Sequence, residues 1–489
     1  MFLKLLVSLC CVVPSGDTLD VATVSAQRNA AVASLSPVQT ITKTKIERLG
    51  TIGLHEVVNQ FPGISIKDYG GIGGLKTVSV RNMGASHTSV IYDGIAISDA
   101  QNGQVDISRF DLDDVSSVSM SIGYEDNIFC SARHLTSAGT LHIESMRPSF
   151  DDGPTEVNAR MTFGSFGTYS PYILLKRRLD SQYALKAALN GTFAKGDYPF
   201  ELSNGRLTTI EKRINSDVQS YGSEADFYAD WGSNGRLRAK INFHSSERGL
   251  PGSVILYTRN AYERLWDRSV ISNVMYDRHF SDSWKFHADA GFTSSYNRHL
   301  NTDPIYQSPQ DDRYMQNECS FAVRTLYEPI AGLQLALAED IFCNKLSSNI
   351  PECPFPVRLS SISAISAKYE TNRLKLSASF VGTSISEELA EGDAPSDRFR
   401  LSPMIGVSWN FLKNLRIRAS YKDGFRVPTF NDLYYARVGN VNLRPEIARQ
   451  FNMGLTFSGT YEWGSADITA DAYYNFIKDK IVAVPTMFI

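Results

Sequence analysis

The sequence has no apolar run long enough to cross a membrane as a helix. Its one nearly continuous apolar stretch, Leu5–Pro14 after Lys4, falls short of the ~20 residues that a spanning helix needs. The charged start, the apolar run and the small pair Ser15-Gly16 fit a secretory signal peptide over 1–16; a buried N-terminal strand is the other reading. Charge of one sign is also lacking. Lys and Arg number 49 against 52 Asp and Glu, a net charge of −3, so there is no basic excess to hold nucleic acid. Cysteine is sparse. Of six, Cys10 and Cys11 lie in the leader. Cys130, Cys319, Cys343 and Cys353 form no C-x-x-C pair and have no histidine at metal spacing, which argues against a zinc or dithiol redox site. Cys343 and Cys353 bracket a loop that an exported protein can bridge or leave as two thiols.

Catalytic signatures are missing as well. There is no Gly-x-Ser-x-Gly, no His-Glu-x-x-His and no supported Ser/His/Asp grouping, so no enzyme and no cofactor is expected. Asp111, Asp113 and Asp114 lack the alternation and glycine of a calcium loop. They read as a solvated acidic turn, and no metal is expected. Gly70-Gly71 and Gly73-Gly74 precede Leu75-Lys76-Thr77, which opens a strand where a P-loop needs a helix. That stretch reads as a mobile loop tip.

What is present falls into two parts. Residues 36–146 are mixed. Thr42–Arg48 and Leu54–Phe61 have helical spacing, with Thr42 or Thr51 available as caps. Thr77–Val80, Ser89–Tyr92, Val115–Ile122 and Thr140–Ile143 read as strands, the first two ending in the turns Arg81-Asn82-Met83-Gly84 and Asp93-Gly94.

From residue 154 to 489 the chain alternates with period 2. Leu185, Ala187 and Leu189 flank Lys186 and Ala188; Leu237, Ala239, Ile241 and Phe243 flank Arg238, Lys240 and Asn242. Trp284, Phe286, Ala288 and Ala290 flank Lys285, His287 and Asp289, and Leu374, Leu376, Ala378 and Phe380 continue the rule. A soluble sandwich gives the same pattern with its apolar face inward. Two features favour a transmembrane antiparallel β-barrel. The apolar face is light, with many alanines, and connections alternate between short and long. Asn234-Gly235 is a tight-hairpin dipeptide, with Asp282-Ser283 and Lys413-Asn414 alike. Ser245–Arg264, Ser294–Arg313, Asn344–Pro356 and Ser384–Ser396 are long and polar, as outer loops are. Strands of ~9–11 residues give about 14 to 16 of them in this length.

Against this background Leu54–Ile64, Val78-Ser79-Val80-Arg81 and Ile91-Tyr92-Asp93-Gly94-Ile95 resemble the plug domain of TonB-dependent outer-membrane receptors. Arg81-Asn82 stands where many members have Arg-Gly, with Gly84 supplying the turn. Gly196–Phe200, Arg248–Gly252, Phe425–Tyr434 and Gly439–Glu446 resemble barrel segments of the same family. The resemblance spans essentially the whole chain, nearest to the cobalamin and siderophore receptors. It implies a mainly β fold, with an N-terminal α+β plug in the lumen of a barrel of roughly 22 strands. The strand estimate falls below that number, so a C-terminally truncated chain holding the N-terminal part of the barrel is expected.

The resemblance also implies sites and partners. A TonB box lies in the 17–35 segment and linker, at Asp17, Thr18, Leu19, Asp20 and Val21, and binds TonB by strand addition. Plug motifs are Arg81, Gly84, Asp93 and Gly94. The apical plug loops map to Asp68–Lys76 and Ser98–Val105. There Tyr69 would stack on a flat ligand and Gln101, Asn102 and Gln104 would hydrogen-bond it; packing against the barrel wall is the competing role. Lumen-facing Arg and Lys would attract anionic ligands or pair with plug carboxylates, and His287 reads as lumen-lining. The expected function is energised uptake of an iron chelate or cobalamin across the Gram-negative outer membrane, with outer-membrane lipid as surroundings. A non-energised porin or adhesin-type barrel, or a non-functional fragment, is the alternative.

Overall fold

The computed structural model describes residues 34–35, 38–150, 153–252, 254, 261–412, 414–435, 439–461 and 464–482. The expected signal peptide, the Asp17–Val21 segment and Lys413 lie outside them. The plug holds strands β1 (Val38–Thr42), β2 (Ile64–Asp68), β3 (Lys76–Val80), β4 (Thr88–Tyr92), β5 (Ile95–Ile97), β6 (Val115–Ile122) and β7 (Gly139–Ser145). Its helices are α1 (Lys43–Leu49), α2 (Leu54–Val58) and α3 (Ala132–Leu135). Thr42 stands at the N-cap of α1 without a side-chain cap bond. The helix expected over Leu54–Phe61 stops at Val58, because Pro62 and Gly63 turn the chain into β2.

Five strands form the sheet β1-β6-β7-β4-β5, and β2 and β3 form a separate hairpin. The sheet closes over a core of Ile41, Leu54, Val57, Val80, Val118, Met120, Leu141 and Ile143. Asp93 and Gly94 join β4 to β5 with φ of 52° and 86°, the left-handed pair that a two-residue hairpin turn requires. Arg81 and Asn82 take φ of 48° and 58°. A short polar residue such as Asn enters this region without a glycine.

The rest of the chain is strand. In order come β8 (Thr155–Gly164), β9 (Thr168–Arg178), β10 (Tyr183–Ala194), the small hairpin β11 (Pro199–Asn204) and β12 (Leu207–Lys212), β13 (Val218–Asp230), β14 (Arg236–Leu250), β15 (Glu263–Ser281) and β16 (Trp284–Asn301). There follow β17 (Gln310–Ile330), β18 (Leu333–Ser348), β19 (Val357–Glu370), β20 (Leu374–Glu388), β21 (Arg398–Leu412), β22 (Leu415–Arg426), helix α4 (Phe430–Tyr434), β23 (Glu446–Tyr461) and β24 (Gly464–Lys478). Apart from β11 and β12 they make one antiparallel sheet of 15 strands, each paired with its neighbours along the chain. That count lies inside the range expected from the sequence.

The sheet is apolar outside and polar inside. On β18 to β20, Leu335, Leu337, Ile341, Ile365 and Phe380 are exposed, while Asp340, Ser360, Ser366, Ser377 and Ser379 are buried. A sandwich would bury the first set; a barrel in lipid presents it. Rings gather at both ends of the wall. Phe280 and Trp284, and Trp409 and Phe411, pack near the short turns, and Tyr169 stacks on Phe193 near the opposite end. Strands from β8 to β24 touch the plug, from Arg160 on β8 to Tyr473 on β24, so the plug fills the lumen.

Two expectations need correction. The long polar stretches are partly strand: β14 runs to Leu250, β16 to Asn301, β18 to Ser348 and β20 to Glu388. Alternation fades where the wall leaves lipid, but the backbone ladder goes on. Asn234-Gly235 is not a two-residue hairpin turn. Residues Gly232–Asn234 form a 3₁₀ turn and Gly235 carries φ of 117°, so the loop spans the register between Asp230 and Arg236. Of the two states open to Cys343 and Cys353, the described residues show free thiols, and Cys343 lies opposite Cys319 across β17 and β18.

Candidate functional site

The plug is locked to the wall by buried charge. Lys186 and Asp226 are cross-strand partners, and so are Asp226 and Lys240. This puts a plus–minus–plus row on the inner face of β10, β13 and β14. The Asp93 turn enters this row from the plug. Its carboxylate accepts from Lys240 Nζ at 2.7 Å, Arg238 Nη2 at 2.8 Å, Ser145 N at 2.7 Å and Ser145 Oγ at 2.9 Å. Lys186, with a fully buried side chain, meets Asp114 of the plug and lies 3.3 Å from Glu224. Tyr92 donates to Glu224 at 2.6 Å, and Lys240 sits 4.2 Å over the Tyr92 ring.

Burial alone would raise the Asp93 carboxyl. Lys240 and Arg238 outweigh it and hold the group well below the usual carboxylate range. At Asp114 burial wins over Lys186 and pushes the carboxyl up to about 6. The acidic triplet is therefore no solvated turn. Asp114 is 5% exposed, Asp113 pairs with Arg160, and Asp111 accepts the Asp113 amide at 2.7 Å. Of the two roles open to lumen cations, these take pairing with plug carboxylates.

A second set of contacts circles the plug. Arg133 grips Glu318 of β17 with two nitrogens, at 2.8 and 3.2 Å. Ser131 and the Arg133 amide donate to Asp340 of β18. Lys422 donates to the Gly123 carbonyl at 3.0 Å. Arg81 bonds Asn452 of β23 and stacks 4.0 Å over Tyr473. His87 meets Glu446 at 2.5 Å, and Arg426 meets the same carboxylate at 2.8 Å. Gly84, φ 109°, donates its amide to Ser79 Oγ and turns the chain toward His87. His287 faces inward, 2.7 Å from Asp277, as a lumen residue should.

The two apical loops are joined at their bases, where the Lys76 amide donates to Asp106 at 3.1 Å. Tyr69 is 46% exposed, with Lys67 Nζ 4.6 Å above its ring. Its loop is tied down, contrary to the mobile tip expected. Lys76 bonds Asp68 at 2.6 Å and the Gly71 carbonyl at 2.8 Å, and Arg248 holds the Gly73 carbonyl at 2.9 Å. The second loop packs under α4. Ser98 bonds Glu318 and the Gln101 amide bonds Gln316. Phe430 N and Asn431 N donate to the carbonyls of Ala100 and Gln101, and Asn431 Nδ2 reaches Asn102. Gln101 is buried, 7% exposed, while Gln104 is half-buried. Of the four apical candidates, Tyr69, Asn102 and Gln104 keep open surface, Asn102 while also accepting from Asn431 of α4, and Gln101 is buried at the wall.

Sequence reasoning missed α4 as a clamp. Thr429 and Asp432 form a reciprocal capping box. Phe430 is fully buried beneath Arg358, 4.7 Å from ring to guanidinium. Arg358 reaches Glu387 and the Pro428 carbonyl, and Tyr434 donates to Glu387 at 2.7 Å. The Thr-x-x-Asp spacing was the one available signal.

A transmembrane barrel whose lumen holds a folded, charge-locked plug is a gated scaffold. The family model "TonB dependent receptor-like, beta-barrel" matches residues 197–489, and the "TonB-dependent Receptor Plug Domain" matches 31–129. The chain belongs to the TonB-dependent receptor family, whose members are transporters. Solved structures agree in fold. The FrpB iron transporter from Neisseria meningitidis superposes with a TM-score of 0.74 at 13% identity, covering 92% of this chain and 73% of that one. The copper transporter OprC gives 0.71 at 13%, covering 91% and 78%. The ferric citrate transporter FecA in its unliganded form gives 0.70 at 12%, covering 92% and 75%.

Proposed function

We propose that this chain is an outer-membrane receptor for energised uptake of a scarce ligand too large for open pores, of the iron-chelate or cobalamin class. The observation that carries this reading is the plug itself, anchored around the lumen by Asp93, Asp114, Arg133 and His87. A lumen filled this way blocks passive flux, so work must be supplied to move the plug. In this reading Asp17, Thr18, Leu19, Asp20 and Val21 take that work from TonB by adding a strand to its sheet. Tyr69, Asn102 and Gln104 offer the open ligand-facing surface. Gln101 and Asn102 would report ligand arrival to Gln316 and α4 through the contacts they make. The neighbours' iron and copper cargoes support a metal-chelate ligand without choosing among chelates.

The test is uptake of a labelled panel, ferric chelates and cobalamin, by cells carrying the intact chain or a deletion of 17–21. The reading expects surface binding in both and accumulation in the intact chain alone. Equal accumulation in both overturns it in favour of a passive barrel.

A further inference from the structure

Two cysteines face each other on the lipid side of the wall. Cys319 of β17 and Cys343 of β18 are directly opposed in the antiparallel ladder. Their row continues into Phe292 on β16 and Leu359 on β19, both exposed, so the two thiols share the outward face. Opposed residues of an antiparallel pair have Cα atoms ~4.5 or ~5.5 Å apart, according to whether they exchange backbone bonds. A disulfide accepts a Cα separation of ~4.4–6.8 Å, so in either case the sulfurs can join without moving the backbone. The other two described cysteines stand elsewhere. Cys130 is buried in the plug, and Cys353 is buried in the loop between β18 and β19.

The inner face of the same hairpin holds the plug. Glu318, next to Cys319, accepts from Arg133 at 2.8 and 3.2 Å and from Ser98 at 2.6 Å. It stands opposite Asn344, the neighbour of Cys343. Asp340, on β18, accepts from Ser131 and from the Arg133 amide. All these contacts need one register. A slip of one residue would turn Glu318 to lipid and Cys319 to the lumen. The short turn does not fix the register by itself, because the pairing shifts between Tyr327 and Ile330 before the turn is reached.

We infer that Cys319 and Cys343 are a modification site, closed to a cross-strand disulfide that fixes the β17·β18 register behind the grip of Glu318 on Arg133. The oxidant is a disulfide-donating protein of the periplasm, an oxidising compartment. One cysteine thiolate attacks the donor's disulfide, forming a mixed disulfide and releasing one donor sulfur as a thiolate. The second cysteine then attacks the Sγ of the first and displaces the donor's other sulfur. The wall keeps one Sγ–Sγ bond; two electrons and the two thiol protons pass to the donor, which leaves as a dithiol. Exchange needs a thiolate and room for the donor to approach. Hydrocarbon withholds both, so the bond forms before the hairpin enters lipid. The inference rests on the outer-membrane placement proposed above.

The test takes the full chain from cells grown without added reductant, denatures it in iodoacetamide, digests it with trypsin and weighs the peptides. Cleavage after Arg313, Arg324 and Lys345 puts Cys319 in peptide 314–324 and Cys343 in peptide 325–345. The two should appear joined, and should separate and take label only after dithiothreitol, whereas Cys130 and Cys353 take label from the start. Cys319→Ala and Cys343→Ala keep the outward face apolar and should each abolish the link; Cys353→Ala should keep it. Either single variant and the double should lower the urea midpoint for plug exposure alike, by about 1 M, because all three lack the same bond. Cys319 and Cys343 labelled without reductant overturn the inference, as does a link from Cys343 to Cys353 or between two copies. An unmoved midpoint in all three variants overturns the role in register. The functional reading fails separately, through accumulation that ignores deletion of 17–21, a result that leaves the peptide masses as they are.

Discussion

Replacing Asp93 with Asn keeps the shape of the turn and removes one charge from the lock. The carboxylate takes bonds from Lys240, Arg238 and twice from Ser145, all within 2.9 Å. Stripping one partner from a buried ion pair costs roughly 3–5 kcal/mol. Lys240 keeps Glu224 at 2.5 Å and Arg238 keeps Asp226 at 2.8 Å, so the loss belongs at the low end, about 3 kcal/mol. With a urea dependence of roughly 1–3 kcal/mol per molar, the midpoint for plug exposure should fall by about 1–3 M. The assay is protease accessibility of the plug in detergent-held full chain across a urea series. Adding Lys240→Met completes a double-mutant cycle, and a coupling of about 2 kcal/mol is expected. The pH dependence carries a sign. A carboxyl held low in the folded state stabilises above its unfolded value and loses that effect only as pH falls through the depressed one. The difference between parent and Asp93→Asn should therefore stay flat from pH 5 to 8. A midpoint shift under about 0.3 M, or no coupling to Lys240, would refute a charge lock and leave only the turn's backbone.

Asp114 behaves in the opposite sense. Its carboxyl, raised to about 6, binds a proton more tightly folded than unfolded, so plug stability should drop as pH rises from 4 to 6. Asp114→Asn should flatten that slope, which titrations at several pH values would read. A Cβ at Gly103, φ +69°, would sit 2.6 Å from Thr429 Cγ2. Gly103→Val should then lift α4 off the plug and expose residues 427–435 to protease, with the barrel intact. Tyr69→Ala should weaken ligand binding with unchanged plug stability, whereas Gln316→Ala, which removes the side-chain acceptor of the Gln101 amide, should loosen the plug; equilibrium binding beside the urea assay separates the two.

The barrel was legible because the pleat writes its two environments into alternate residues, as in Leu237, Ala239 and Ile241 against Arg238, Lys240 and Asn242. The same rule explains the misjudged loops. Past Trp266 or Tyr296 neither face meets lipid, alternation lapses, and strands that persist as backbone ladders look like loop. The plug's turns were legible where a two-residue motif forces the backbone, as at Asp93-Gly94. Partners across the lumen were not. Lys186 and Asp114 meet only because a folded plug is turned one way inside the barrel, and no periodicity encodes that angle. The acidic triplet looked solvated for the same reason. Gln101 has the chemistry of a ligand contact, but α4, marked by Thr429-x-x-Asp432 within the Phe425–Tyr434 segment, comes down on it.

The most direct test is to compare surface binding with internal accumulation of a labelled ferric chelate in one population of cells expressing this chain, with and without a protonophore. Energised transport through a locked plug predicts binding that survives the protonophore and accumulation that collapses to background. Accumulation that continues without the proton gradient would contradict the account.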